Sequence, residues 1–465
     1  MTESRRISGR ITAFTEVILL AAAAATLGPW LFTSASCRLG IKSPRVYVIG
    51  LDGATWDIID PLIAQGKLPV FKALKEEGAW ARLRTFDPTL SAVVWTSIAT
   101  GKTMIKHGIV DWAFVNKNNI QVPYSSSEKR TPSIWEIMHE HGLRSVVLNW
   151  FVTYPPDDIS GVIVSDSFPA ALLRTLSGKS KPEDMADTVH PPEEFQRLYR
   201  VFSRMQDEGA LKYPRLVQEM DIPDYIAEFK ARSSLEVKSI PILSVWPSFL
   251  AYDKIQDTLV DHYLEEDGYD LFLAYYRFPD VFFHFATMFL DKEYHDYIDA
   301  FVGAPVEPST DVLDEFNRKM AEVAWPILRE KEALLSRFIE RAGAERAYLL
   351  VISDHGFQMS SKGYNHYGLP AGTPPPDGIF ALIGPDVKPG LRVEASVFDI
   401  APTILYLKRL PVGADMDGKP LLEPLTVSRP VRTALYTKMR HRPAKAAPEL
   451  DKEKLEELRS LGYIK

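Results

Sequence analysis

The sequence predicts an α/β fold: a mostly parallel sheet flanked by helices, with a helical cap insertion. Three observations carry this. Uninterrupted, branched apolar runs at 45–51, 271–276 and 348–352 read as strands buried on both faces. Stretches of helical spacing lie between such runs, the alternation expected of a parallel sheet. The chain is also long enough for a large core, with 465 residues, 46% of them hydrophobic and 25% charged.

The first forty residues stand apart. Residues 1–16 are polar and carry Arg5, Arg6 and Arg10; Val17 to Phe32 are almost wholly apolar; Gly28-Pro29 breaks the run before Ser34-Ala35-Ser36-Cys37. A basic start, an apolar core, a breaker and small residues make a secretory signal pattern. An uncleaved anchor is the alternative, although the run is short of the roughly 20 residues a full span needs. Cys37, the single cysteine, stands where a bacterial lipoprotein cysteine would stand, but the position three before it is Ser34 rather than an aliphatic residue. One cysteine excludes an internal disulfide. The expectation is an exported, extracytoplasmic protein tethered to the membrane by its N-terminal segment, with lipidation of Cys37 left open. The division expected is a signal or tether segment over 1–43, a catalytic domain over 44–425 with an insertion at about 170–265, and a tail helix within 426–465.

From residue 44 each element has a local reason. The first strand ends in Leu51-Asp52-Gly53. Trp56 to Ala64 and Pro69 to Glu77 follow with helical spacing, and Gly78 stops the second. Asp52 reads equally as a cap for the next helix or as a ligand. Pro88 closes the following extended stretch, and Ser91 to Thr100 reads as a helix stopped by Gly101. Ser91 therefore falls at a helix N-terminus, where serine is most often a cap, yet where free N–H groups also favour an oxyanion and suit a nucleophile. Thr89, ahead of the helix, is the weaker nucleophile candidate. His107 in His107-Gly108-Ile109 reads as a structural histidine. Strands are expected at 144–150 and 161–165. The insertion at about 170–265 is polar, punctuated by proline and helical in texture, and is expected to cover the sheet ends and influence substrate choice.

The strand at 271–276 runs into Asp280-Val281-Phe282-Phe283-His284. Asp280 and His284, four apart on a helix, face one way and make a metal half-site or a local hydrogen-bonded pair. A long helix over 311–341 leads to Tyr348-Leu349-Leu350-Val351-Ile352-Ser353-Asp354-His355-Gly356. Asp354 and His355 at a strand's carboxyl end are placed where open α/β sheets bind ligands, though a structural Asp–His pair fits the same letters. Gly356 is expected to let the chain turn away. His366 lies on a loop, as ligand or surface residue, before a strand at 378–385. Ser396 to Leu407 reads as strand end then helix, and 451–463 as an amphipathic helix that packs on the domain or on a partner.

Asp52, Ser91, Asp280, His284, Asp354, His355 and His366 each fall at or just beyond a predicted strand end, which is hard to attribute to seven accidents. Oxygen and imidazole donors in this mixture suit zinc, with manganese and iron as alternatives. Three carboxylates and an alkoxide would be neutralised by two divalent metal ions, and such a site could accept an anionic phosphate. The net charge of −7 and the lack of a dense Lys/Arg tract argue against nucleic acid as a partner. No GxGxxG, P-loop or internal repeat is present.

Gly50-Leu51-Asp52-Gly53, Pro88-Thr89-Leu90-Ser91, Ala99-Thr100-Gly101 with His107-Gly108-Ile109, Asp280 with His284, Ser353-Asp354-His355-Gly356 and Asp399-Ile400-Ala401-Pro402-Thr403 resemble the alkaline phosphatase superfamily, in its type I phosphodiesterase/nucleotide pyrophosphatase branch. The resemblance spans about 44–425 apart from the insertion, and 458–463 is similar to tails in the superfamily. It implies the alkaline-phosphatase-like fold. It also implies one metal ion on Asp52, Ser91, Asp354 and His355, and another on Asp280, His284 and His366. Two departures stand out. Ser91 occupies the place of the family's threonine nucleophile, and Asp111-Trp112 stands where those enzymes have a phosphate-binding asparagine, which argues against a simple transfer of nucleotide specificity. A sulfatase is disfavoured, because Ser91 is followed by Val93 and Trp95 instead of the Pro and Arg that formylglycine formation requires.

The expected function is a two-metal phosphohydrolase that cleaves phosphodiester or pyrophosphate bonds through a phosphoseryl intermediate, on a small-molecule, lipid or glycan phosphate ester. The rivals are a head-group phosphotransferase of the same superfamily and an inactive, membrane-tethered binding protein. The full ligand set argues against the last, since a dead copy would be free to lose ligands.

Overall fold

Strand periodicity sets the architecture. In the strand Val46–Leu51, Tyr47, Ile49 and Leu51 enter one hydrophobic core while Val46 and Val48 enter another. Tyr348–Ile352 divides the same way, Leu349 and Val351 to the first core and Tyr348, Leu350 and Ile352 to the second. The sheet is therefore buried on both faces, which is why these runs read as continuously apolar. The computed structural model describes residues 43–211, 242–287, 290, 309–360, 363–367, 369–437, 448–460 and 464. The signal-like run at 17–32 and Cys37 lie outside them. No helix among the described residues is long and apolar enough to cross a membrane.

Among the described residues the main sheet has ten strands: β1 (Val46–Leu51), β2 (Ala79–Arg84), β3 (Ser145–Leu148), β4 (Gly161–Val164), β5 (Val189–His190), β6 (Leu271–Tyr276), β7 (Tyr348–Ile352), β8 (Gly378–Ile383), β9 (Leu391–Arg392) and β10 (Ala395–Ser396). Their order is β9-β2-β8-β7-β1-β6-β3-β4-β5, with β10 also paired to β2. The central run β7-β1-β6-β3-β4 is parallel throughout. β8 runs antiparallel to both β2 and β7, and β5 antiparallel to β4. The sheet is thus mixed but mostly parallel, and β1, β6 and β7 bring their carboxyl ends together at its centre.

The helices Trp56–Ala64, Phe278–Ala286 and Thr310–Glu345 contribute to the core that holds Tyr47; Ser91–Thr100, Ile134–Glu140 and Ile400–Leu407 contribute to the other. The helix at 242–264 belongs to the expected insertion. It packs on β3, β6 and the Phe278–Ala286 helix, with Ile255, Leu259 and Tyr263 buried. This part of the segment therefore covers a sheet face with its apolar residues, and Gln256 reaches the carboxyl end of β3 through Asn149 and the Leu148 carbonyl. The C-terminal helix Pro448–Ser460 buries Leu455 and Leu458, and Lys454 reaches Asp166 at 2.6 Å, so its apolar face is spent on the domain.

Candidate active site

Two cap readings fail, and the failures are informative. The helix after β1 is capped by Thr55, whose hydroxyl accepts the Asp57 N–H, so Asp52 is not needed as its cap. In the helix Ser91–Thr100 the cap position is held by Leu90, and Ser91 is the first helical residue. All ten residues of that helix are buried, which marks it as an internal element with no solvent face. Gly101 ends it in the left-handed region at φ 67°.

The seven candidate residues converge at the carboxyl ends of β1, β6 and β7. Asp52 follows β1 directly, Asp354 follows β7 after Ser353, and Asp280 and His284 sit on the helix after β6. Ser91 and His366 arrive by other routes. Ser91 comes on a helix well beyond the end of β2, and His366 follows Gly363–Asn365, half of a separate hairpin with Gln358–Ser360. His366 thus lies just beyond a strand end, as expected, although that strand is outside the main sheet, whereas Ser91 is carried by a helix seven residues past β2.

His355 Nε2 lies 3.3 Å from Asp354 Oδ2, 3.5 Å from Asp52 Oδ1, 3.5 Å from Ser91 Oγ and 4.0 Å from Asp280 Oδ1. Asp280 Oδ1 is 3.4 Å from His284 Nε2 and 3.6 Å from His366 Nε2, and the two imidazole Nε2 atoms are 3.1 Å apart. The His355 and His366 rings stack at 3.7 Å with a 5° tilt. Among the described residues two three-residue groups are close enough to hold an ion, Asp52–Asp354–His355 and Asp280–His355–His366, all buried. His355 belongs to both, and His284 reaches the second through Asp280.

The backbone fixes the imidazole tautomers. His355 Nδ1 lies 3.1 Å from the Gly356 carbonyl, and His366 Nδ1 lies 3.0 Å from the Thr89 carbonyl. A carbonyl only accepts, so both Nδ1 atoms carry the proton, and each Nε2 turns a lone pair into the site. Burial lowers the His355 pKa to about 4 and, with the neighbouring His355 ring, holds His366 well below its ordinary value. Burial and then the Asp280 charge push Asp52 up to about 7. Burial and the Asp52 charge raise Asp354 strongly. Asp280 is buried too, but the surrounding imidazoles, His284 first, hold it low. Asp52 Oδ1 and Asp354 Oδ2 are buried with no hydrogen-bond donor. Lone pairs of neutral imidazoles facing buried carboxylate oxygens repel, and a cation between them turns each repulsion into a bond. The donor set therefore fits divalent metal ions.

Local structure explains the flanking residues. The Thr89 hydroxyl donates to the His366 carbonyl and is fully buried, so it clasps the His366 loop and is not offered as a nucleophile. Gly356 is required for close approach and not for an unusual turn: a Cβ there would lie 2.5 Å from the Asp377 carbonyl oxygen. Gly53 does adopt φ 71°, and its N–H reaches Asp354 Oδ1 at 3.4 Å. His107 is structural, as read. Its Nδ1 accepts the Ile109 N–H at 3.2 Å, and its Nε2 donates to Ser97 Oγ at 2.9 Å. Asp111 is exposed, and its carboxylate accepts its neighbour Trp112's N–H. Sequence reasoning missed Trp95 and Tyr275, which both donate to Asp52 Oδ2. The signal for Trp95 was its spacing of four from Ser91 on one helix; Tyr275 carried none, because strand letters alone do not say which neighbour a side chain meets.

A model of the type I phosphodiesterase / nucleotide pyrophosphatase family matches residues 46–369. Solved structures similar to this chain include an inactive form of murine ectonucleotide pyrophosphatase / phosphodiesterase 5 in complex with AMP, at TM-score 0.46 and 12% identity over 82% of this chain and 99% of that one. The phosphonate monoester hydrolase of Silicibacter pomeroyi matches at TM-score 0.43 and 15% identity, over 83% and 77% of the two chains. A protein solved with its substrate D-glucosamine-2-N,6-O-disulfate matches at TM-score 0.43 and 12% identity, over 85% and 82%. The family match spans the β1, Ser91, Asp280, Asp354 and His366 segments together, and on that ground the chain belongs to the type I phosphodiesterase / nucleotide pyrophosphatase family.

Proposed function

We propose that this protein is a two-metal phosphohydrolase that cleaves phosphodiester or pyrophosphate bonds through a phosphoseryl intermediate. The observation that carries the reading is the convergence of the inward-facing His355 and His366 Nε2 atoms with Asp52, Asp280 and Asp354, with the Ser91 hydroxyl 3.5 Å from His355 Nε2. Asp52, Asp354, His355 and Ser91 would hold one ion, and Asp280, His284 and His366 the other, zinc fitting the donors best. When bound, two such ions supply Lewis acidity and lower the pKa of coordinated oxygen.

The protein's own groups do the rest. Ser91 Oγ, at the first position of its helix, forms the new bond to phosphorus as the ester oxygen leaves. Water then hydrolyses the phosphoseryl ester and restores the hydroxyl. Helix-start N–H groups lack intrahelical acceptors, so the Ser91 and Ala92 amides support a phosphoryl oxygen beside the nucleophile. Burial of Ser91, Asp52, Asp354 and His355 keeps bulk water from the attacking atom. The sequence pattern of residues 1–37 supports export and tethering, so the substrate is sought outside the cytoplasm, among small-molecule, lipid or glycan phosphate esters.

Ser91→Ala tests the reading. Turnover of an aryl phosphodiester should fall by several orders of magnitude while elemental analysis still finds about two metal ions per chain, as in the wild type. Near-native turnover by the variant sinks the nucleophile, and an active, metal-free wild type sinks the mechanism.

A further inference from the structure

Asp52 divides its two oxygens between different surroundings. Oδ1 faces His355, while Oδ2 turns away and accepts from Trp95 Nε1 at 3.2 Å and from the Tyr275 hydroxyl. The donors come from two elements that also carry the chemistry. Trp95 lies four residues after Ser91, on the same helix face. Tyr275 lies on β6, the strand that leads to Asp280. Both rings are buried and meet edge-on at 5.1 Å and 75°. Trp95 is seated further by Trp150, whose ring meets it at 4.9 Å and whose Nε1 donates to the Trp95 carbonyl at 3.2 Å.

The Gly50 of the Gly50-Leu51-Asp52-Gly53 motif acquires a reason here. Gly50 pairs in register with Tyr275 across β1 and β6, and a Cβ on Gly50 would stand 2.6 Å from Trp95 Cη2. Any side chain there would drive the indole off β1 and take its N–H away from Asp52.

We propose that Trp95 and Tyr275 are positioning residues that pin Asp52 Oδ2 and so present Oδ1 to the metal ion, with Gly50 as the gap that admits the indole. The inference rests on the metal-site reading above and goes beyond it. Two hydrogen bonds to an ionised carboxylate are stronger than neutral ones. They fix the rotation of the buried carboxylate, so that Oδ1 stays toward His355. Because Trp95 and Ser91 share one rigid helix, the same indole sets the distance from Asp52 to the nucleophile.

The test is zinc affinity of the full chain, measured by competition with a chromophoric chelator, with circular dichroism to confirm folding. Tyr275→Phe keeps the ring and removes one donor, while Trp95→Phe removes the other donor and also leaves a small cavity beside Trp150. Each should weaken binding of one of the two zinc ions by about 10- to 100-fold, the size seen when partners behind a metal ligand are removed. Gly50→Ala should reproduce the Trp95→Phe defect. Phe151→Leu is the packing control: its ring touches Tyr275 at 5.0 Å, but Asp52 Oδ2 takes no hydrogen bond from it. That variant should bind zinc as the wild type does. Wild-type zinc affinity in folded Tyr275→Phe and Trp95→Phe overturns the proposal, as does an equal loss in Phe151→Leu. If Tyr275→Phe does not fold, the comparison of Trp95→Phe with Phe151→Leu decides. A wild-type chain that binds no zinc removes the metal site itself, and this inference with it.

Discussion

Acid should loosen the nucleophile-bearing helix through His107, and the size of the effect follows from its surroundings. His107 is fully buried, held between Ser97 on the Ser91–Thr100 helix and the Ile109 amide. Burial first, and then the nearby Lys129 charge, lower its pKa to about 3, with Asp417 pulling weakly the other way. In the unfolded chain the same imidazole titrates near 6.5. The unfolded state therefore binds the proton first, and stability must rise with pH across that interval. The contribution is present in full above about pH 6.5 and is lost progressively as pH falls toward about 3. Between about pH 7.5 and pH 5 the loss is RT ln(1 + 10^1.5), roughly 2 kcal/mol. His107→Gln removes the titration. It should cost about 1–3 kcal/mol near neutrality, because the Ser97 hydroxyl and Ile109 amide lose their buried partner. That gap to the wild type should narrow by roughly 2 kcal/mol at about pH 5. Urea unfolding of both proteins, followed by tryptophan fluorescence at a series of pH values, reads the gap, and the other titrating groups cancel in the difference. A gap that stays constant over this range refutes the reasoning, since it means His107 is as free to take a proton in the fold as in the unfolded chain.

Two further outcomes are expected. Metal affinity should fall on acidification, because Asp52, pushed to about 7 in the metal-free fold, must release its proton to bind; from about pH 8 to pH 5.5 this one group accounts for roughly a 30-fold loss, and a flat profile by calorimetric titration contradicts it. Deleting residues 1–36 should leave a folded, metal-binding protein, because β1 begins at Val46 and the described core is built from residues after it; a truncated chain that aggregates or binds no metal shows the segment to be part of the fold.

Much of the fold was legible because its elements announce themselves locally. The helices Trp56–Ala64, Pro69–Glu77 and Ser91–Thr100 begin and end where the sequence places them, each with a Pro, Gly or capping residue at a boundary. Strands such as Leu271–Tyr276 are buried on both faces and therefore read as apolar runs. What local signals do not carry is pairing. Nothing in 378–385 distinguishes the antiparallel β8 from a further parallel strand, and nothing in 242–264 says that its apolar stripe rests on the sheet face. The site divides similarly. The candidate side chains and the strand-end positions of Asp52 and Asp354 were readable, while the Thr89 clasp on His366 and the Trp95–Tyr275 grip on Asp52 join residues distant in sequence through geometry alone. Gly356 shows the same limit: the letter was legible, but the reason, a carbonyl packed against it from Asp377, was not.

Charge balance then bears on the bond cleaved. With His355 and His366 neutral, the negative charge of the site comes from Asp52, Asp280, Asp354 and, in the reactive form, Ser91, which the two divalent cations of the proposed mechanism would offset. A phosphodiester brings one negative charge at neutral pH and a monoester close to two, so a monoester needs a further cation. Lys102 does not supply it: its ammonium is buried and lies 2.6 Å from Asp415. Arg277 acts on the site, lowering the Asp52 pKa, yet its guanidinium is placed over the Phe151 ring at 5.4 Å. An aryl phosphodiester should therefore be cleaved with higher kcat/KM than the matching aryl monoester, and Arg277→Ala should widen that ratio by removing the nearby positive charge. A clear monoester preference in the wild type would leave Ser91 standing as nucleophile and overturn the diesterase reading, because it would show that the second substrate charge is met in the site after all.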